Sequence, residues 1–88
     1  MTGLLLCFDD ERALAEPLAA ALGLGLGEIA RHRFPDGESR FTLPAELPPR
    51  VVLLRGLHQP NEKLAELMIV APAARELGAA HLTLVCPY

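Results

Sequence analysis

One five-residue stretch, Phe34-Pro35-Asp36-Gly37-Glu38, has residue types at a spacing that could do chemistry. Proline preset for the second position of a tight turn, followed by Asp-Gly, reverses the chain and brings an aromatic ring close to two carboxylates. An aromatic face can stack on a nucleobase, and a carboxylate can accept a hydrogen bond from an exocyclic amine. The plain alternative is a hairpin turn and nothing more, since Pro-Asp-Gly is a common turn sequence. On the residues alone that is the better reading.

Other candidates carry less. Gly23-Leu24-Gly25-Leu26-Gly27 has the look of a dinucleotide loop. A phosphate-binding glycine loop follows a strand and opens a helix, however, whereas this one closes a helix and leads into a strand. It reads as a helix cap and linker. His32, His58 and His81 have no second ligand at metal-binding spacing on a shared face, and fit loop or sheet-edge positions better. No glycine-framed serine appears, and neither Cys7 nor Cys86 has a recognisable partner base, which speaks against a serine or cysteine hydrolase. Glu62 and Glu66, one helical turn apart, read as a solvated outer face.

The elements that would position the turn can be read from hydrophobic pattern. Gly3–Phe8 is an apolar run ending at acidic residues, as in a strand buried on both faces. Asp9 or Asp10 can cap a helix carrying Leu14, Leu18, Ala21 and Leu22 and stopping at Gly23, with Pro17 an awkward insertion. Glu28–Phe34 and Glu38–Leu43 are two strands around the turn, and Pro44–Arg50 is a proline-rich loop. Val51–Leu54 is another buried strand. Asn61 then caps a helix with Leu64, Leu67, Met68, Ala71 and Ala74 on its core face, bent at Pro72 and ended by Gly78. His81–Cys86 is the last strand. The order β-α-β-β-β-α-β predicts an α/β fold: a mostly parallel sheet with flanking helices and one β-hairpin.

Composition sets the outer bounds. Eighty-eight residues form a single domain (residues 1–88), and 51% hydrophobic with 22% charged residues is globular rather than disordered. The longest apolar run, residues 67–74, contains Pro72 and is far short of the ~20 residues needed to cross a bilayer. The N-terminus makes a poor signal peptide, and two isolated cysteines fit a reducing cytoplasm. Net charge is −3, concentrated in residues 1–27, so no basic face invites nucleic acid. A chain this small and this apolar leaves surface seeking a partner, which predicts self-association into a homo-oligomer.

Three segments together carry a family resemblance. Arg33-Phe34-Pro35-Asp36-Gly37-Glu38-Ser39 resembles the Phe-x-Asp-Gly-Glu hairpin of ribose-phosphate pyrophosphokinases (phosphoribosyl pyrophosphate synthetases). Asn61-Glu62-Lys63-Leu64-Ala65-Glu66-Leu67-Met68-Ile69 is similar to that family's Asn-(Asp/Glu)-x-Leu-x-Glu-Leu-Leu helix, and Leu84-Val85-Cys86-Pro87-Tyr88 resembles the strand entering its Pro-Tyr segment. Order and spacing agree across residues 30–88, while residues 1–29 agree only in pattern. Two departures stand out: Arg55-Gly56 where the family usually has Gln followed by Ser or Thr, and Pro72 at an often acidic position.

The resemblance implies a phosphoribosyltransferase-like N-terminal half and an enzyme that moves the diphosphoryl group of ATP to the 1-hydroxyl of ribose 5-phosphate with magnesium. It further implies that one subunit's hairpin reaches the adenine site of its neighbour. Carried over, Phe34 would stack on adenine, with Asp36 and Glu38 contacting the base or its amine. The magnesium, ribose-phosphate and flexible-lysine segments of the family have no counterpart in these residues. The expectation is therefore a fragment that is catalytically silent alone. A non-catalytic regulatory paralogue is the first alternative, and an unrelated small α/β interaction module the second.

Overall fold

The computed structural model describes residues 3–58 and 60–87. Tyr88, the end of the third segment above, lies outside them. The chain runs β1 (Gly3–Phe8), a 3-10 turn (Asp9–Glu11), α1 (Arg12–Leu22), β2 (Gly25–Arg33), β3 (Ser39–Thr42), β4 (Arg50–Leu54), α2 (Pro60–Glu76) and β5 (His81–Val85). The five strands form one sheet in the order β3-β2-β1-β4-β5. β1 lies parallel to both β2 and β4, β4 is parallel to β5, and only the β2–β3 hairpin is antiparallel. The α/β architecture read from the pattern is the one observed.

Strand β1 is buried along almost its whole length because the sheet is covered on both faces. Leu6 and Phe8 join Ile29, Val51, Leu53, Leu67, Val70 and Ala74 in the core beneath α2. Leu5 and Cys7 face the other way, with Ala15 and Ala19 of α1 and Leu54. Burial, aided by the Glu28 carboxylate, pushes the Cys7 thiol up, so it behaves as a small core residue.

Several expected boundaries shift for physical reasons. The acidic residues after β1 do not cap α1: they form a 3-10 turn with no side-chain cap, because their carboxylates are spent elsewhere. β2 starts at Gly25 rather than Glu28, absorbing the glycine stretch into the sheet. A Cβ at Gly27 would approach Leu4, Leu6 and Pro44 within 3.1–3.4 Å, so a small residue suits this close packing. Only Gly23 acts as the cap, its N–H reaching the carbonyls of Ala19 and Ala20. Pro60 opens α2, a position where its missing N–H costs nothing, and Asn61 lies inside the first turn instead of capping it. Gly78, with φ of +126°, follows α2, and a Cβ there would strike the Leu47 carbonyl oxygen at 2.5 Å.

The largest difference is the face of α2. Its buried residues are Glu66, Leu67, Val70 and Ala74. Leu64 is 46% and Met68 78% exposed, although both were expected in the core. Together with Ile69 they form an outward apolar arc.

Candidate functional site

The hairpin turn forms by local chemistry. The Gly37 N–H donates to the Phe34 carbonyl at 2.9 Å, closing a β-turn with Pro35 and Asp36 at its centre. The Phe34 N–H donates to the Glu38 carbonyl at 2.8 Å, pairing the residues that flank the turn. Gly37, with φ of +93°, supplies the backbone conformation a larger residue would resist. One oxygen of Asp36, Oδ1, accepts from the Glu38 N–H at 3.0 Å, which stiffens the tip of an exposed turn. The expected trio of Phe34, Asp36 and Glu38 is thus gathered at one exposed tip, and neither carboxylate has an ion-pair partner among the described residues. Phe34 is 37% exposed and is met edge-on by the His32 ring at 4.4 Å between centroids and 76° between planes. That contact limits how far the ring can swing.

The two faces of the hairpin differ. Residues alternate along a strand, so Arg31, Arg33, Ser39 and Phe41 share the face opposite His32 and Phe34. Arg31, Arg33 and Ser39, with Asp9 and Glu66, line a polar pocket of about 230 Å³ between hairpin, 3-10 turn and α2. Here the reading of Glu66 as a solvated outer-face carboxylate is overturned, while Glu62 is exposed as expected but paired. Glu66 is only 6% exposed. Its Oε2 accepts from Arg31 Nη1 at 3.0 Å, and its Oε1 accepts from Arg55 Nη2. Glu62 is exposed, yet its Oε1 accepts from Arg33 Nη2.

Arg55 is the centre of this network. It is 1% exposed, and its guanidinium lies over the Phe8 ring at 4.2 Å from the centroid. Its Nη1 donates to Asp10 Oδ1 at 2.7 Å and to Glu11 Oε1 at 3.1 Å. Glu11 Oε2 also accepts from the Gly56 N–H at 2.8 Å. Arg31 closes the circuit: its Nε donates to Asp9 Oδ1 at 2.7 Å, and its Nη2 stands 3.6 Å from Asp10 Oδ2. Asp10 and Glu66 each bridge both arginines, so Arg55, Asp10, Arg31 and Glu66 form a ring of alternating charge. Burial works to raise the Asp10 pKa. The hydrogen bond from Arg55 and the charges of Arg55 and Arg31 outweigh it and hold the carboxyl below its usual range.

None of Arg31, Arg55, Asp9, Asp10 and Glu11 was expected at a site: Asp9 or Asp10 reads as a helix cap, and Arg55 only as a departure from the family pattern. A signal was present: in an open α/β sheet the carboxyl ends of adjacent strands share one crevice, and the acidic run after β1 and Arg55 after β4 both lie there. The cluster does not suit a magnesium ion, because its carboxylates are already engaged by two guanidinium groups. No three His, Cys, Asp or Glu side chains among the described residues are grouped to hold a metal.

Comparison with known proteins gives a consistent result. The family model described as the N-terminal domain of ribose phosphate pyrophosphokinase matches residues 4–88. The ribose-phosphate pyrophosphokinase of Halobacterium salinarum is 32% identical over 85 residues, covering 97% of this chain and 30% of that protein. That of Saccharolobus solfataricus is 36% identical over 75 residues, covering 83% of this chain and 26% of its own length. The chain thus spans under a third of the curated relatives it matches. Among solved structures, a purine phosphoribosyltransferase from Pyrococcus horikoshii superposes with a TM-score of 0.75 at 17% identity, covering 97% of this chain and 59% of the other, which supports the shared fold.

Proposed function

Because the chain belongs to the family of the N-terminal domain of ribose phosphate pyrophosphokinase, we propose that it supplies the adenine-reading turn of such an enzyme. In the reaction, the 1-hydroxyl oxygen of ribose 5-phosphate attacks the β-phosphorus of ATP, and AMP departs with the bridging oxygen. Phosphoryl transfer of this kind depends chiefly on positioning and on stabilising charge around the phosphates. The residues here serve the first need: Phe34 offers a face to adenine, and Asp36 and Glu38 offer acceptors to its exocyclic amine. The carboxylates nearest the crevice are engaged by Arg31 and Arg55, so the part assigned to these residues is the base contact and not the binding of magnesium. The setting is the cytoplasm. The observation that carries this reading is the turn itself, a stiffened tip holding one restrained ring beside two carboxylates that have no ion-pair partner among the described residues.

Glu38→Gln tests it. The amide keeps the shape but presents donors where an acceptor is needed. The ATP-over-GTP preference, as the ratio of kcat/KM in the full-length protein, should fall about two- to tenfold, the value of one hydrogen bond. An unaltered ratio would remove Glu38 from base recognition.

The same reading includes assembly into a homo-oligomer, supported by the apolar arc of Leu64, Met68 and Ile69 on α2. Sedimentation of the full-length protein at ~100 μM, where micromolar dimers populate, should show a species larger than a monomer. A clean monomer would refute assembly.

A further inference from the structure

The ion pairs between hairpin and α2 have a regular geometry. Arg31 and Arg33 are two residues apart on β2, a separation of about 6.7 Å along a strand. Glu66 and Glu62 are four apart on α2, about 6 Å along a helix axis. The two spacings match, so Arg31–Glu66 and Arg33–Glu62 stand as two parallel rungs. Arg33 is the rung nearer the turn, and it meets Glu62 in the first turn of α2. The start of that helix therefore lies alongside the hairpin on the side facing away from Phe34 and His32. The inner rung is anchored, since Glu66 is also held by the buried Arg55. The outer rung is exposed at both ends, 65% for Arg33 and 56% for Glu62.

We infer that Glu62 and Glu66, acting through Arg33 and Arg31, are positioning residues that fix the attitude of the 34–38 turn relative to α2. This rests on the reading of the turn as the adenine contact. One rung would allow the two-stranded ribbon to pivot about it, and a second rung further out prevents that. An isolated hairpin is marginally stable and twists freely, so a ring carried at its tip needs such a brace to meet a base repeatedly in one orientation. The role asked of Glu62 is orientation, not stability, because an exposed ion pair adds little to the fold.

The test uses the full-length protein and the outer rung, which can be altered without opening the core. Glu62→Arg sets two cations against each other and should raise the KM for ATP about three- to tenfold. The kcat, the KM for ribose 5-phosphate and the melting temperature (within about 4 °C) should hold. Reversing the pair, with Glu62→Arg and Arg33→Glu together, should restore the KM for ATP to within about twofold of the original. Phe34→Ala is measured beside them. If it raises the KM for ATP while Glu62→Arg does not, the brace is refuted and the base contact stands. If neither changes it, both fall. A loss of melting temperature with a uniform loss of activity, unrepaired by the reversed pair, would reduce the rungs to ordinary structure and overturn the inference.

Discussion

Arg55→Ala should destabilise the protein by about 3–5 kcal/mol, the range seen when one partner is removed from a buried ion pair. The substitution deletes the guanidinium that Asp10, Glu11 and Glu66 share and uncovers the Phe8 face it packs on. Glu66, on the buried face of α2, keeps only Arg31 among the described residues. Arg55→Lys should fall between the two, since a single ammonium keeps the charge but cannot fork to three carboxylates at once. Urea unfolding at neutral pH measures both, and a loss below about 1 kcal/mol for Arg55→Ala would show that the ring contributes little. A pH companion follows from Asp10. A carboxyl held below its usual value in the folded state adds stability that is fully present above pH ~4 and is lost as pH falls through the folded value. With Arg55 gone that depression largely disappears, so the wild-type protein should lose more stability on acidification below pH ~4 than the variant does.

The turn and the succession of strands and helices along the chain are legible in the sequence because both are written locally. Pro35-Asp36-Gly37 encodes a reversal within three residues, and the runs Gly3–Phe8 and Val51–Leu54 are apolar and short enough to fit interior strands better than helices. The ring of charge was not legible in the same way. Glu66 reads as surface on its own helix, and becomes an interior group only because β2 and β4 bring Arg31 and Arg55 to it. The face of α2 failed for a different reason. Leu64 and Met68 are as apolar as Leu67 and Val70, so periodicity defines two candidate arcs and cannot choose between them. The sheet chooses, through Leu6, Phe8, Val51 and Leu53 beneath Leu67 and Val70. With Arg55 after β4, the crevice above β1 and β4 is filled by paired charge.

Phe34→Ala in the full-length protein should weaken use of ATP far more than use of ribose 5-phosphate. Losing one base–aromatic stack costs ~1–3 kcal/mol, which lowers apparent ATP affinity about 5- to 150-fold. Within that range the position of Phe34 argues against the lowest values. Its ring is held edge-on by His32, so less rotational freedom is lost on binding and more of the stacking energy appears as affinity. The fold should hardly notice, because the turn is closed by backbone bonds from Gly37 and Phe34 and by Asp36 Oδ1, none of which uses the ring. A plain structural turn makes the opposite forecast: a lower melting temperature with nucleotide kinetics untouched. Steady-state kinetics with ATP varied at saturating ribose 5-phosphate, and the converse, set beside thermal melts, separate the two. Unchanged ATP kinetics in a properly folded Phe34→Ala protein would mean that the ring reads no base, and that the exposed carboxylates beside it have some other use.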